Sequence, residues 1–84
     1  MKNTRTISGT LHVVERMKSS TNGNPRYLCM ITGEHGYSET FCTAPDSSHG
    51  YSIRNHDGKQ VEARIGMHYN RLTLDSIEAV NDGR

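Results

Sequence analysis

The sequence predicts a mainly β protein: a single small barrel of five antiparallel strands, with a short helix between strands three and four. The first observation is the stretch 58–77, where two alternating runs flank a short polar turn. Such a period of two is typical of half-buried strands. The second is the upstream order of three apolar runs separated by turn residues. Because an isolated hairpin is marginally stable, the 58–77 hairpin must pack on these earlier strands.

The composition predicts one domain over residues 1–84, with an ordered core of about 6–80. A chain of this length buries only about 60 to 65% of the surface that its unfolded form exposes. Hydrophobic residues make up 32% of the chain, with no Trp and one Phe, and the mean hydropathy is -0.76. Because the core uses most of these residues, we expect no apolar cofactor pocket and no cofactor.

The charge balance restricts the possible partners. Ten Lys and Arg against nine Asp and Glu give a net charge of +1, which argues against a protein that coats phosphate backbones by charge alone. No apolar run approaches the roughly 18 residues needed to cross a bilayer, so no membrane partner is expected. The chain has only two Cys, with no CxxC pair, and its first ten residues are polar, which favours a cytoplasmic location.

The first predicted strand covers residues 6–17. Gly9 inside it indicates a sharp bend, and the adjacent Val13 and Val14 break the alternation in the manner of a bulge. A bent first strand can pair with strand two at one end and with strand four at the other. The following loop, residues 18–25, contains no apolar residue and is predicted to be the most mobile segment of the domain.

The next predicted elements are a strand, a tight turn and a strand, at residues 26–32, 33–36 and 37–43. Strand two is a nearly continuous apolar run, and other parts of the protein could cover it on both faces. The register of this hairpin stays open in the sequence. If His35 and Gly36 form a two-residue turn, Cys29 faces Cys42 directly across the hairpin.

A helix start is indicated after strand three. Thr43 would cap the helix, Pro45 would lie in its first turn, and Asp46 would interact with the positive end of its dipole. Gly50 weakens the interior, so the helix is expected to be short or irregular and to end near Asn55. Its expected contacts with the core are Tyr51 and Ile53.

Alternation along the strands predicts the core. The residues expected inside are Ile7, Leu11, Val13, Leu28, Met30, Phe41, Ile53, Val61, Ala63, Ile65, Leu72, Leu74 and Ile77. The residues of the last two strands expected to face solvent are Glu62, Arg64, Arg71, Thr73 and Asp75. Residues 76–80 either continue strand five or form a final half-turn over the end of the barrel.

This order of elements resembles the OB-fold, a small partly open barrel with its helix between strands three and four. Specific similarities are Gly9 in strand one, Gly23 in the first loop, and the stretches 58–61 and 72–77. An SH3-like barrel has a similar number of strands, but the helix position favours the OB-fold. The resemblance implies a ligand lying across strands two and three, between the loop joining strands one and two and the loop joining four and five.

The chain also resembles small proteins encoded by bacteriophages of actinobacteria. The similar segments are NGNPRY at 22–27 and TAPDSS at 43–48. This likeness implies a host cytoplasm as the location and carries no chemistry with it.

No motif predicts catalysis or metal binding. The five His and two Cys lack the short spacings of zinc sites, and no GxSxG nucleophile motif is present. Ser47, Ser48 and His49 are neighbours in sequence, but such neighbours are usually caps. We therefore expect no enzyme activity, no catalytic residue and no metal.

Basic residues mixed with aromatic residues predict a binding surface, because Tyr stacks on bases and Arg or Lys neutralises phosphate. By position in the resemblance, the ligand-binding residues are Arg16, Lys18, Arg26, Tyr27, Tyr37, His68, Tyr69 and Arg71. One register would instead turn Tyr27 into the core, and outward charges also keep any small barrel soluble.

The function expected from these residues is a non-enzymatic module that binds single-stranded nucleic acid. The alternatives are a protein-interaction module, such as a phage factor that occupies a host protein or self-associates through an open sheet edge, and capture of a small nucleotide. The oligomeric state stays open.

Overall fold

The computed structural model describes residues 4–68 and 70–80. Its five strands form a closed barrel in the order β1-β2-β3-β5-β4. They are β1 (Arg5–Met17), β2 (Arg26–Thr32), β3 (Ser38–Cys42), β4 (Gln60–His68) and β5 (Arg71–Ala79). A short helix, α1 (His49–Ser52), continues into a 3-10 turn over Ile53–His56, and a second 3-10 turn covers Glu34–Gly36. This mainly β barrel is compatible with an OB-like fold.

The predicted bend and bulge of β1 are confirmed. Residues 5–10 pair with β4 and residues 10–17 pair with β2, so one strand serves both neighbours. At the bend Gly9 has φ 153°, and a Cβ there would lie 2.2 Å from the carbonyl oxygen of Thr32. The register shifts between Val13 and Glu15. Only glycine allows β1 to cross so close to β2.

The expectation of a wholly antiparallel sheet is wrong. β3 and β5 run parallel and pair through Cys42 and Thr73. This geometry follows from the chain path, because the helical segment carries the chain from the end of β3 to β4, and the tight β4–β5 hairpin then reverses it. The barrel therefore closes through a single parallel residue pair. Between β1 and β3, Arg5 forms a salt bridge with Glu39 at 2.8 Å.

Strand β2 presents the face opposite to the one expected. Tyr27, Cys29 and Ile31 are buried, whereas Leu28 and Met30 are partly exposed. Cys29 pairs with Phe41, not with Cys42. The cause is the turn, where the amide of Gly33 donates to the carbonyl of Tyr37 and residues 33–37 form a five-residue connection, so the two-residue turn that the sequence left open does not form. Shifting a register by one residue turns every side chain to the other face.

The helical segment begins later than expected. Thr43 does not cap it: α1 starts at His49, and Asp46 adopts a positive φ of 61°. Tyr51 is 66% exposed, whereas Ile53 is fully buried, so only Ile53 is an anchor in the core. Gly50 is needed for packing, because a Cβ there would lie 2.1 Å from the carbonyl oxygen of Pro25.

The β4–β5 hairpin forms as expected, and outside β2 most of the residues expected in the core are buried. The buried apolar residues are Ile7, Leu11, Tyr27, Cys29, Ile31, Phe41, Cys42, Ile53, Val61, Ala63, Ile65 and Leu74. Val13, Leu72 and Ile77 pack against this cluster while partly exposed. Thr73, expected to face solvent, is 2% exposed. A register shift in this hairpin pairs Arg64 with Ser76 and Ile65 with Leu74, which breaks the alternation along β5.

The loop between β1 and β2 is attached to the segment after β3. The Asp46 carboxylate accepts hydrogen bonds from Ser20 Oγ at 2.5 Å, Asn22 Nδ2 at 3.0 Å and Asn24 Nδ2 at 2.7 Å. The Tyr51 hydroxyl donates to Asn24 Oδ1. These bonds hold the pKa of Asp46 below its ordinary value, with Ser20 the largest contributor. Polar contacts thus fasten a loop that has no apolar anchor.

Candidate binding cleft

Three of the predicted ligand-binding residues meet at one cavity. Arg26, His68 and Arg71 line it together with Pro45 and Thr73, and its volume is about 230 Å³. We call it the basic cavity. It lies where the start of β2, the segment after β3 and the turn of the β4–β5 hairpin come together. Residues from three separate stretches of sequence therefore form one positively charged site.

Local structure explains how each side chain reaches the basic cavity. Arg26 is the first residue of β2 and follows Pro25, whose missing amide suits the position before a strand. His68 and Arg71 pair with each other at the end of the β4–β5 hairpin. Asn70, directly before Arg71, has φ 63°, a conformation that Asn tolerates well. The hairpin thus delivers His68 and Arg71 to the same end of the barrel.

Arg26 has weak partners within the protein. Its Nη2 donates to Cys42 Sγ at 3.9 Å, and a thiol sulfur is a weak acceptor. Its Nε atom is buried and has no hydrogen-bond partner among the described residues. A guanidinium presents its donors in a fork that matches the two oxygens of a carboxylate or phosphate. Arg26 therefore has donor capacity left for an anionic ligand.

A larger, mostly apolar groove adjoins the basic cavity, and Arg71 lines both. The groove has a volume of about 580 Å³ and is lined by Leu28, Thr40, Phe41, Cys42, Met67, Asn70, Arg71 and Leu72. Met67 is 51% exposed. The groove lies between β3 and the end of the β4–β5 hairpin. There β3 and β5 separate from the one residue pair that joins them. Leu28 faces this groove because β2 carries apolar residues on both of its faces.

The described residues that line the two cavities include no Asp or Glu. Arg26 and Arg71 therefore contribute positive charge that no carboxylate in the lining neutralises. We define the cleft as the basic cavity together with the apolar groove. A ligand that fits it has an anionic group at one end and an apolar or flat group beside it.

The other predicted site residues lie elsewhere. Arg16 is exposed on β1, with its guanidinium carbon 5.9 Å from the centroid of the Tyr27 ring. Tyr27 is only 8% exposed and belongs to the core, so it takes the alternative position that the sequence left open. Lys18 is exposed in the loop that Asp46 fastens.

Tyr37, another predicted binding residue, does not line the cleft. Tyr37 is 38% exposed and follows the Glu34–Gly36 turn, at the opposite end of the β2–β3 hairpin from Arg26. Its ring lies against Gly33. Tyr69, the other predicted stacking residue, lies outside the described residues.

Sequence reasoning missed Pro45, Thr73 and Met67 as lining residues. Pro45 carried a helix-start signal, and Thr73 and Met67 lie in strands whose alternation gives no sign of a groove. A buried or lining role for Leu28 could be expected in part, because the apolar run of strand two indicated that both faces of the strand could be covered. The groove itself depends on where β3 and β5 separate, which no local pattern encodes.

Other chemistry is sparse among the described residues. In residues 4–68 and 70–80, no group of three or more His, Cys, Asp and Glu side chains could hold a metal ion. Cys29 and Cys42 are both free and buried. Burial is the main factor that raises the pKa of Cys29 to about 12, with smaller contributions from Cys42 and Asp57. Across the same described ranges, no helix has the length and apolar character needed to cross a membrane.

Comparison of the chain with protein-family models, with curated proteins and with solved structures found no match.

Proposed function

We propose that this protein is a small non-enzymatic module that binds single-stranded nucleic acid in the cleft. The observation that carries the proposal is the convergence of Arg26, His68 and Arg71 on one cavity whose described lining contains no carboxylate. Under this proposal the barrel acts as an OB-fold, in which a strand of nucleic acid lies across β2 and β3. The buried free thiols fit a reducing compartment, so the protein would act in the cytoplasm, that of a host cell if a bacteriophage encodes it.

The two parts of the cleft match the two parts of a nucleotide. Arg26 and Arg71 supply cations for phosphate, and the fork of Arg26 suits two phosphate oxygens. The apolar groove offers Leu28, Met67 and Leu72 to the flat face of a base. A single base against aliphatic side chains and few phosphate contacts predict weak to moderate affinity with a shallow dependence on salt.

Fluorescence anisotropy of labelled single-stranded DNA and RNA oligonucleotides at low salt tests this function. Arg71→Gln should weaken binding and reduce the salt slope by about one unit. Arg64→Gln is the matched control, because Arg64 is also exposed on a strand but lines a different cavity. Parent protein that binds no oligonucleotide at low salt would exclude the proposal. Equal affinity for the parent and the Arg71→Gln variant would place binding outside the cleft.

A second candidate function, protein interaction, is favoured by the edge of β3. The amides of Gly33 and Thr43 donate to the carbonyls of Tyr37 and Tyr27. By alternation along the ladder, the backbone groups of Ser38 and Thr40 then point away from β2. Among the described residues, the backbone pairing of β5 with β3 is limited to Cys42 and Thr73. The described strands thus leave an edge where an extended segment could pair.

Size-exclusion chromatography with light scattering, together with Thr40→Pro, tests the second candidate. Proline removes the outward amide of Thr40 without touching the bonds to β2. A dimer that Thr40→Pro converts to a folded monomer would support pairing at this edge. A parent protein that is monomeric at all concentrations would exclude self-association through it.

A further inference from the structure

The cleft has its cationic residues concentrated in one subsite. Among the described residues that line it, the permanently charged ones are Arg26 and Arg71, and both line the basic cavity. The described lining of the apolar groove has no Lys or Arg beyond Arg71. Proteins that follow a polynucleotide instead distribute basic residues along a groove. The charge pattern of this cleft therefore fits one phosphate group.

The donors of Arg26 indicate a compact anion with several oxygens. Among the described residues, its buried Nε atom has no hydrogen-bond partner and its Nη2 has only a long contact to Cys42 Sγ at 3.9 Å. A buried donor left without an acceptor is destabilising, so the binding of an acceptor there is favoured. Thr73 does not compete for the anion, because its hydroxyl donates to the carbonyl of Arg71 at 3.0 Å.

The number of charges distinguishes two kinds of phosphate. A phosphodiester inside a strand carries one negative charge, whereas a phosphomonoester carries about 1.5 to 2 at neutral pH and has three terminal oxygens. Two arginines in a cleft whose described lining contains no carboxylate match the monoester better. The adjoining groove of about 580 Å³ leaves room for the nucleoside that carries it.

We propose that the cleft recognises the phosphomonoester of a nucleotide, with Arg26 and Arg71 on the phosphate and the apolar groove on the base. This inference rests on the proposed function and adds to it that a strand is held by its phosphorylated end. The same chemistry belongs to a free mononucleotide, so an experiment must separate the two sources.

The direct test compares forms of one short single-stranded oligonucleotide with an internal fluorescent label: both ends hydroxyl, 5′-phosphate, or 3′-phosphate. Anisotropy at low salt should show at least one phosphorylated form binding about tenfold more tightly than the hydroxyl form, as expected for a charge-assisted bond. Arg26→Gln and Arg71→Gln should remove this preference. Arg64→Gln should retain it, because Arg64 lines a separate cavity.

Competition separates the sources and the two parts of the cleft. A mononucleotide should displace the labelled strand, whereas the nucleoside and inorganic phosphate should each compete much less. Thermal melting of each variant shows whether it is folded, and the exposed Arg71 gives a second test should Arg26→Gln fail to fold.

The outcomes are distinct. Equal binding of phosphorylated and hydroxyl strands would overturn this inference and leave the proposed function intact. Calorimetric binding of mononucleotides without any strand binding would overturn the proposed function and support the phosphomonoester site, with the free nucleotide as its ligand. Inorganic phosphate that competes as well as the mononucleotide would overturn the role of the groove. Binding of neither strands nor nucleotides would overturn both proposals.

Discussion

Tyr27 and Thr43 are joined by two hydrogen bonds where β2 begins and β3 ends. The amide of Tyr27 donates to Thr43 Oγ1 at 3.0 Å, and the amide of Thr43 donates to the carbonyl of Tyr27 at 3.0 Å. Thr43 is fully buried. Tyr27 follows Arg26 and Thr43 follows Cys42 in the sequence. By holding Tyr27 against Thr43, the two bonds help to position Arg26 and Cys42, which both line the cleft. Thr43 is therefore a structural support of the cleft.

Replacing Thr43 by Val should destabilise the protein. Val keeps the shape of Thr but leaves the buried amide of Tyr27 without its acceptor, which should lower the free energy of unfolding by about 1 to 3 kcal/mol. Urea denaturation measures the change. Thr6→Val, at an exposed position on β1, is the control and should change stability by about 0.5 kcal/mol or less. Equal effects of the two substitutions would show that the bond to Tyr27 contributes nothing.

Ile65→Ala should come close to unfolding the domain. Ile65 lies in β4 of the β4–β5 hairpin and is fully buried. Truncation of a buried Ile costs about 2 to 5 kcal/mol in stability. A domain of this size has about 5 kcal/mol in total. Met67→Ala on the same strand is the comparison, because Met67 is 51% exposed. An unchanged melting temperature for Ile65→Ala would contradict the burial of Ile65.

Asp46→Asn should loosen the loop at residues 18–25. The carboxylate accepts three hydrogen bonds from this loop, and the neutral amide offers one acceptor oxygen in its place. Limited proteolysis at neutral pH should cut the parent first within the loop and cut the variant there faster. Asp75→Asn, at an exposed strand residue, should cleave like the parent. First cleavage within residues 58–77 would contradict both the mobility expected of the loop and the stability expected of the β4–β5 hairpin.

The same contact predicts a pH dependence. The pKa of Asp46 is lower in the folded protein than its ordinary value of 3.8. The contribution to stability is therefore fully present above that value, and it is lost as the pH falls through the folded pKa. The difference in stability between the parent and Asp46→Asn should shrink on acidification. A difference that grows as the pH falls would reverse the sign and exclude this role.

Cys29 should resist alkylation in the native protein. It is fully buried, and burial raises the pKa of its thiol to about 12, so little of the reactive thiolate exists at neutral pH. Mass spectrometry after iodoacetamide treatment should find Cys29 modified only when denaturant is added. Cys29→Ala identifies the signal from Cys42. Rapid modification of Cys29 without denaturant would mean that the strand β2 opens readily or faces solvent.

Much of the fold was predictable because its signals are local. The alternation of Val61, Ala63 and Ile65 places one face of β4 inside, and all three are fully buried. Gly9 and the adjacent pair of Val residues predicted the bend and bulge that let β1 pair with two strands. A glycine or a broken alternation reports on the backbone at its own position, so no partner needs to be known.

The phase of β2 could not be predicted, because residues 27–31 are apolar on both faces and alternation carries no information there. The connection after Gly33 and the bonds between Tyr27 and Thr43 select the face. A tertiary register thus put Tyr27 into the core and left Leu28 at the groove. The same limit applies to Thr43. Its hydroxyl oxygen accepts a hydrogen bond from a backbone amide, as a helix cap does, but that amide belongs to Tyr27 on the neighbouring strand.

For the candidate site, the charged residues and the strand ends that they occupy could be predicted from the sequence alone. That Arg26, His68 and Arg71 share one cavity, while Tyr37 lies at the other end of the β2–β3 hairpin, could be seen only in the folded chain. Charge and strand position are properties of single residues. Their convergence depends on the closure of the barrel through the parallel pair of Cys42 and Thr73, a contact between segments that no local pattern relates.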